Sequence, residues 1–583
     1  MSDRDIAEAC GIEAGYHDIF GHWHAIDPDT QRRLVEVLAT EPATMASEPV
    51  PRPESHIRAF QGDGRRVWGL AVQLYALSSA RNWGHGDFTD LSTLIGIAAR
   101  AGASAIGLNP LHALTPERAD EASPYRPNSR LFLNPLYIDV AAMPECPDLA
   151  EWEEDIAAAR QGDLIAYRAV GQLKLEVLWQ TWENFKRNAA ADRRADFEAY
   201  RAERGDALRR FAIFEVLRLT HAPKPWPQWP MSWRTPSAAD LAKFRAANQD
   251  ACEFQEFMQW SADRQLGACQ AEAQRLGMSI GLYTDLAVGI DPHGADAWSD
   301  QGAIVPGVSI GAPPDEFNRA GQNWGLAPFN PRTIARDDFA PLRRLMRATM
   351  RHAGAVRLDH VLALKRLFLI PDGCGAAQGA YIRYPFDAML QVVAEESNRA
   401  RCIVIGEDLG TVPEGFRETL AHWGLWSYRV MMFEREQDGG FRRPEHYPAE
   451  ALAAFNTHDL ATFRAWMESS DLALKRGLGI DPGESDDARA HSRQMLRHLL
   501  NERADGNDDF AAVAYVLGQT PCRLVMTSIE DILGIAEQVN IPGTIDEHPN
   551  WRRKISVPLE ALEESTGLRS VAAAFKAAGR DSR

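Results

Sequence analysis

AVRLDHVLAL, residues 355 to 364, sets an arginine, an aspartate and a histidine inside an apolar run. Burying Arg or Asp is costly unless each finds a partner, so such a run is ordinarily a loop or an exposed face. The other reading is a strand that ends at a reaction centre, where polar groups are kept because chemistry needs them. Successive strand residues face opposite ways, so Arg357 and Asp359 share a side. The surroundings of this run then decide the fold.

Eight short apolar runs recur along the chain: 67–75, 104–111, 279–288, 355–362, 401–409, 428–433, 452–460 and 522–531. Helical patterns separate several of them, among them DDFAPLRRLMRATMRHAG before the fourth and FDAMLQVVAEESNRA before the fifth. Strand–helix alternation predicts a parallel sheet, and eight strands predict a closed α/β barrel of the (β/α)8 type. Two long, mostly helical insertions follow the second and seventh strands, at about 113–278 and 463–521, on the side where barrel enzymes shape their substrate sites. Ahead of the barrel, which spans 66–583, residues 1–65 read as a short helical segment, DPDTQRRLVEVLA, and a linker, TEPATMASEPVPRPES.

The chain has 583 residues and a formal charge of −18, which argues against nucleic acid or an anionic membrane as partner. No stretch of eighteen apolar residues spans a membrane, and the N-terminus has no apolar secretion signal. Seven scattered cysteines without a CxxC pair read as reduced thiols in a cytoplasmic protein. No phosphate-binding loop, dinucleotide fingerprint or metal-ligand spacing is present, so no cofactor and no metal is expected. His22 and His24 of GHWHA read as a surface helix end rather than ligands.

On the barrel reading, Asp359, Glu407 and Asp459 fall at the ends of the fourth, fifth and seventh strands, 48 and 52 residues apart. Only a closed fold brings them together. Parity turns Ile403, Ile405 and Glu407 inward together, and Thr457 with Asp459, leaving His458 facing away unless the strand has already curled into its loop. A lone carboxylate at a strand end usually caps a turn; three at one rim, one with an in-phase arginine, suit glycoside chemistry. There one carboxylate attacks the anomeric carbon while a second arrives protonated to release the leaving oxygen. Arg357 would keep Asp359 ionised, and burial beside a negative charge would raise the pKa of Glu407. Asp459 would bind sugar hydroxyls. Glu530 and Asp531 of SIEDIL lie outside this set, as a rim feature or a solvated pair.

Around these residues, AVRLDHVLAL, VIGEDLGTVP and FNTHDLAT resemble the catalytic blocks of glycoside hydrolase family 77, the amylomaltase-type 4-alpha-glucanotransferases. The likeness extends to ARNWGHGDFTDL, SPYRPNSRLFLNPLYIDV, GLYTDLAVG, GAPPDEFNRAGQNWGLAPFNP, YIRYPFD and EHPNWRRK, in family order from about 66 to 554. The resemblance implies a retaining transferase acting on α-1,4-glucans and maltooligosaccharides, with glucose as an acceptor. It implies Asp359 as nucleophile, Glu407 as acid/base and Asp459 as the transition-state carboxylate. By the same likeness Arg357, His458, Tyr125, Ser123 and Asp285 bind the reacting sugar, and Asp315, Phe317, Gln322 and Trp324 belong to a loop over the acceptor side. Asn456 and Ala461 stand where relatives commonly carry Ser and Pro. An α-amylase-like hydrolase and a catalytically silent glycan-binding protein are the competing readings.

Overall fold

The structure, a computed structural model, describes residues 3–17, 21–38, 57–115, 122–314, 321–410, 412–504 and 509–580. Eight parallel strands close into a barrel: β1 (Val67–Val72), β2 (Ala105–Leu108), β3 (Gly281–Leu286), β4 (Ala355–Leu358), β5 (Ile403–Gly406), β6 (Trp426–Val430), β7 (Ala451–Ala454) and β8 (Leu524–Ser528). Each follows its neighbour in chain order, and β8 closes onto β1 with Leu524 opposite Val67. Every run expected as a strand overlaps one of these, but the strands are shorter. The seventh stops at Ala454, well before the expected residue 460, and the sixth begins two residues earlier than expected.

Inside the barrel, Val67, Ala105, Tyr283, Ile403, Ile405, Trp426, Leu452, Leu524 and Met526 pack into one apolar cluster. Alternate residues face out and pack on the surrounding helices; Trp68, for example, stacks on Phe575 at 4.9 Å. Gly107 makes room for the filling, since a Cβ there would lie 2.9 Å from Met526 and 3.1 Å from Tyr283. Helix Phe88–Arg100 joins β1 to β2, started by Asp87 and Asp90 in a reciprocal capping pair.

The β2–β3 connection carries the long helices Tyr167–Asn188, Ala191–His221 and Gln249–Arg275, and the β7–β8 connection carries Phe463–Glu468, Ser470–Gly477, Asp486–Arg503 and Phe510–Gln519. A four-stranded antiparallel sheet was not foreseen. It is assembled from two different connections, in the order Ala380–Arg383, Arg366–Pro371, Val308–Ala312, Gln322–Leu326. Its strands come from segments far apart in the chain, and a run such as RLFLIP shows no alternation to betray it.

The N-terminal segment lies on that sheet. Helices Asp3–Ala9 and Pro28–Leu38 flank a hairpin, Gly15–His17 with Trp23–Ala25, and Tyr16 meets Phe368 edge-on at 5.9 Å. Cys10, Ile12, Leu34 and Leu38 share a core with Ile310, Leu369 and Ile382. His24 belongs to the hairpin and stacks on Tyr16, so GHWHA is a turn and strand and not the expected helix end. The linker at 39–56 lies outside the described residues. Among the described residues no helix is long and apolar enough to cross a membrane.

Candidate active site

The C-terminal mouth of β3, β4 and β5 is fixed by strand register. Arg357 stands opposite Asp285 on β3 and Ile405 on β5. One guanidinium nitrogen of Arg357 donates to both oxygens of Asp285, at 2.9 and 2.8 Å, and the other reaches Asp359 Oδ1 at 2.9 Å. The Tyr125 hydroxyl donates to Asp285 Oδ2 at 2.6 Å. Burial works against the Arg357 charge, but Asp285 and Asp359 outweigh it and hold the group protonated. A planar fork between two carboxylates is a task for arginine, since lysine offers a single point charge.

One residue past their strands, Asp359 and Glu407 extend neighbouring strands, whose backbones run about 4.8 Å apart. Glu407 accepts two backbone hydrogen bonds, Oε2 from His360 N and Oε1 from Leu409 N, each 2.9 Å. The first depends on the left-handed conformation of His360, at φ +46°, which turns the chain sharply after Asp359. Burial, reinforced by the charge of Asp359, pushes the Glu407 carboxyl up to about 7 against the opposing pull of Arg357 and the two backbone donors. Near neutral pH this group carries a proton part of the time, as a general acid must.

Asp459 is held differently. It lies five residues beyond the end of β7, in a loop, so the expected alternation does not reach it. His458 accordingly points into the mouth and not away from it. Its ring stacks on Tyr125 at 5.1 Å and tilts against Trp551 at 5.2 Å, while Nε2 lies 3.3 Å from Asp459 Oδ2. The other oxygen, Asp459 Oδ1, accepts a 2.6 Å hydrogen bond from the Asn540 side chain. Burial pushes the Asp459 carboxyl up, but His458, Asn540 and Arg357 outweigh it and keep it below the usual carboxylate range. With 42% of its side chain exposed, Asp459 opens to the cleft.

Ser123 accepts the Tyr125 backbone N–H at 3.3 Å, so its hydroxyl shapes the turn that presents the tyrosine. Trp324 donates to Gln322 at 3.1 Å and meets the edge of His360 at 5.4 Å, next to the Asp359–Glu407 pair. Asp315 and Phe317 lie outside the described residues. Glu530 and Asp531 are buried, not solvated: Asp531 Oδ1 accepts Phe463 N at 2.6 Å, and burial pushes the two carboxyls up to about 7 and about 6. Among the described residues no cluster of three or more His, Cys, Asp or Glu side chains could hold a metal ion.

Asn540, Gln538 and Trp551 had no role assigned from sequence. All three come from the segment after β8, whose EHPNWRRK motif was the only signal. Polar residues in an irregular loop have no periodicity to mark them.

A sequence model of the family described as 4-alpha-glucanotransferase matches residues 72–560. The chain is 39% identical to a 4-alpha-glucanotransferase of Mycobacterium tuberculosis, across 85% of this chain and 72% of the relative. It is 35% identical to one of Haemophilus influenzae, across 98% and 84%. Among solved structures, amylomaltase from Corynebacterium glutamicum superposes with a TM-score of 0.84 at 26% identity, covering 98% of this chain and 99% of the other. Amylomaltase from Streptococcus agalactiae in complex with acarbose shares the fold, with a TM-score of 0.76 at 17% identity.

Proposed function

This chain belongs to glycoside hydrolase family 77, the 4-alpha-glucanotransferases, and on that premise we propose that it transfers α-1,4-glucan segments by double displacement at Asp359. In the first step Asp359 attacks the anomeric carbon of the sugar beside it. The bond to the leaving 4-oxygen breaks as Glu407 delivers its proton, and a glycosyl–aspartate ester remains. In the second, Glu407, now ionised, takes the proton from the 4-hydroxyl of an incoming glucose or maltooligosaccharide. That oxygen displaces Asp359, the configuration is retained and the enzyme is restored.

The observation that carries this reading is the Arg357 fork between Asp285 and Asp359, in register with Glu407. It sets a guanidinium against the acid placed to act as nucleophile, beside another acid raised toward neutrality by burial. Asp459 and His458 bind hydroxyls of the same ring and favour its flattening toward the oxocarbenium shape, with Tyr125 as the aromatic platform under it. Gln322 and Trp324 cover the acceptor side and keep water from the ester. Ser123 serves by holding Tyr125. All seven cysteines stand as thiols, which supports a reducing, cytoplasmic setting.

Transfer and hydrolysis part only at the second step, where sugar or water reaches the ester first. Incubation with maltotriose should yield glucose and a ladder of longer oligomers. Shorter products alone would make the enzyme a hydrolase.

A further inference from the structure

The segment after β8 folds back over the loop that carries Asp459 and holds it at three points. Gln538 Nε2 donates to the Asp459 carbonyl at 2.9 Å and to the Asn540 carbonyl at 2.6 Å. Asn540 N donates to the His458 carbonyl at 3.2 Å, and its side chain donates to Asp459 Oδ1 at 2.6 Å. The donors are themselves anchored. His548 meets the Gln538 carbonyl at 2.9 Å, Asn550 accepts Ile541 N at 2.9 Å, and Trp551 N reaches the Val539 carbonyl at 3.2 Å. Trp551 takes φ +60°, rare for a bulky residue, and from there its ring packs beside both Tyr125 and His458.

An aspartate in a half-open loop has a broad χ2 well and no strand to orient it. Here both carboxylate oxygens are spoken for, one by His458 and one by Asn540, so the carboxylate plane is set before any sugar arrives. We infer that Gln538 and Asn540 are a positioning pair for the third carboxylate: Gln538 holds the Asp459 carbonyl, the Asn540 N–H holds the His458 carbonyl before it, and the Asn540 side chain fixes the rotation of the carboxylate. The inference rests on Asp459 acting in the reaction. Hydrogen bonds from an amide to an ionised carboxylate are among the stronger ones, and small misplacements of a reacting group are costly.

The groups facing Asp459 are His458 on its own loop, Asn540 after β8, Arg357 on β4 and Tyr428 on β6, with Asp285 and Glu530 facing His458 in turn. Of these, only Asn540 is a neutral donor that no pH change alters, so removing it should free Asp459 to protonate at higher pH.

The test uses the full chain with maltotriose and compares Asn540→Ala, Asn540→Ser, Asp459→Asn and the double variant Asp459→Asn/Asn540→Ala. In Asn540→Ala, kcat should fall by roughly 10- to 100-fold with KM within about threefold, on the scale of a displaced catalytic group. The acidic limb of its rate profile should move to higher pH. The Ser variant, still able to donate, should recover part of kcat, and the double variant should be no slower than Asp459→Asn alone. A raised KM with kcat and pH profile intact would make Asn540 a mere contact to sugar and overturn the inference, as would additive losses in the double variant. Wild-type turnover in Asp459→Asn would instead remove the reading of Asp459 on which it rests.

Discussion

The two halves of the mouth are built by different means. On the β3–β5 side, Asp285, Arg357, Asp359 and Glu407 all sit within one residue of strand ends, and barrel register places them. On the β7–β8 side, His458 and Asp459 hang from a loop, placed by side-chain amides and stacked rings of a second loop. A barrel cannot shift one strand without breaking a ladder of hydrogen bonds, whereas two loops can move together. The first half is suited to covalent chemistry, which tolerates little displacement. The second sets its carboxylate by hydrogen bonds between two loops rather than by strand register.

If that contrast holds, losses should be steepest on the strand-borne side. Asp359→Ala should lower kcat/KM by at least about a thousandfold, the order seen when a covalent nucleophile is removed; a loss under tenfold in steady-state assays would move the chemistry elsewhere. Arg357→Ala leaves two carboxylates facing each other in a buried site, and should cost about 3–5 kcal/mol of unfolding free energy in a denaturant titration. On the loop-borne side His458→Ala should be milder, on the order of 10-fold to 100-fold in kcat, with unfolding close to wild type because the barrel is untouched. An equal or larger stability loss there would erase the distinction between the halves.

The pH dependence sharpens the same contrast. Glu407 must enter the first step protonated, so kcat/KM should fall as pH rises through about 7, and Glu407→Gln should abolish that alkaline limb along with most activity. Because folding raises this carboxyl, the folded state binds the extra proton. Its contribution to stability is present below the ordinary carboxylate value and lost as pH rises toward 7. Asp459 is shifted the other way, so its ionised form survives to lower pH than an unassisted aspartate would.

How far the sequence could be read follows the same line. Eight apolar runs were enough to expect the barrel, since a strand buried on both faces needs little else to declare itself. Asp359 and Glu407 were legible because strand parity carries one residue past the last ladder bond. At Asp459 parity had already lapsed: β7 stops at Ala454, the chain has curled into its loop, and His458 faces in, the alternative that strand parity left open. Glu530 and Asp531 were set aside as a rim feature or a solvated pair, and burial against the helix start at Phe463 shows the second of these to be wrong. The four-stranded sheet escaped because its strands are drawn from two separate connections, and pairing between remote segments leaves no local pattern.

By itself the chain determined which kinds of groups could meet: an arginine in phase with one acid, a second acid on the next strand, and motifs enough to imply the family. Only the closed structure decided how they meet. Arg357 divides itself between Asp285 and Asp359, Glu407 loses enough solvent to hold a proton, and Asn540 turns the third carboxylate to face the cleft. Residue types and their spacing along a strand are local properties that a sequence carries outright. Distances between groups tens to hundreds of residues apart, and the solvent left around them, exist only once the barrel has closed and its loops have packed.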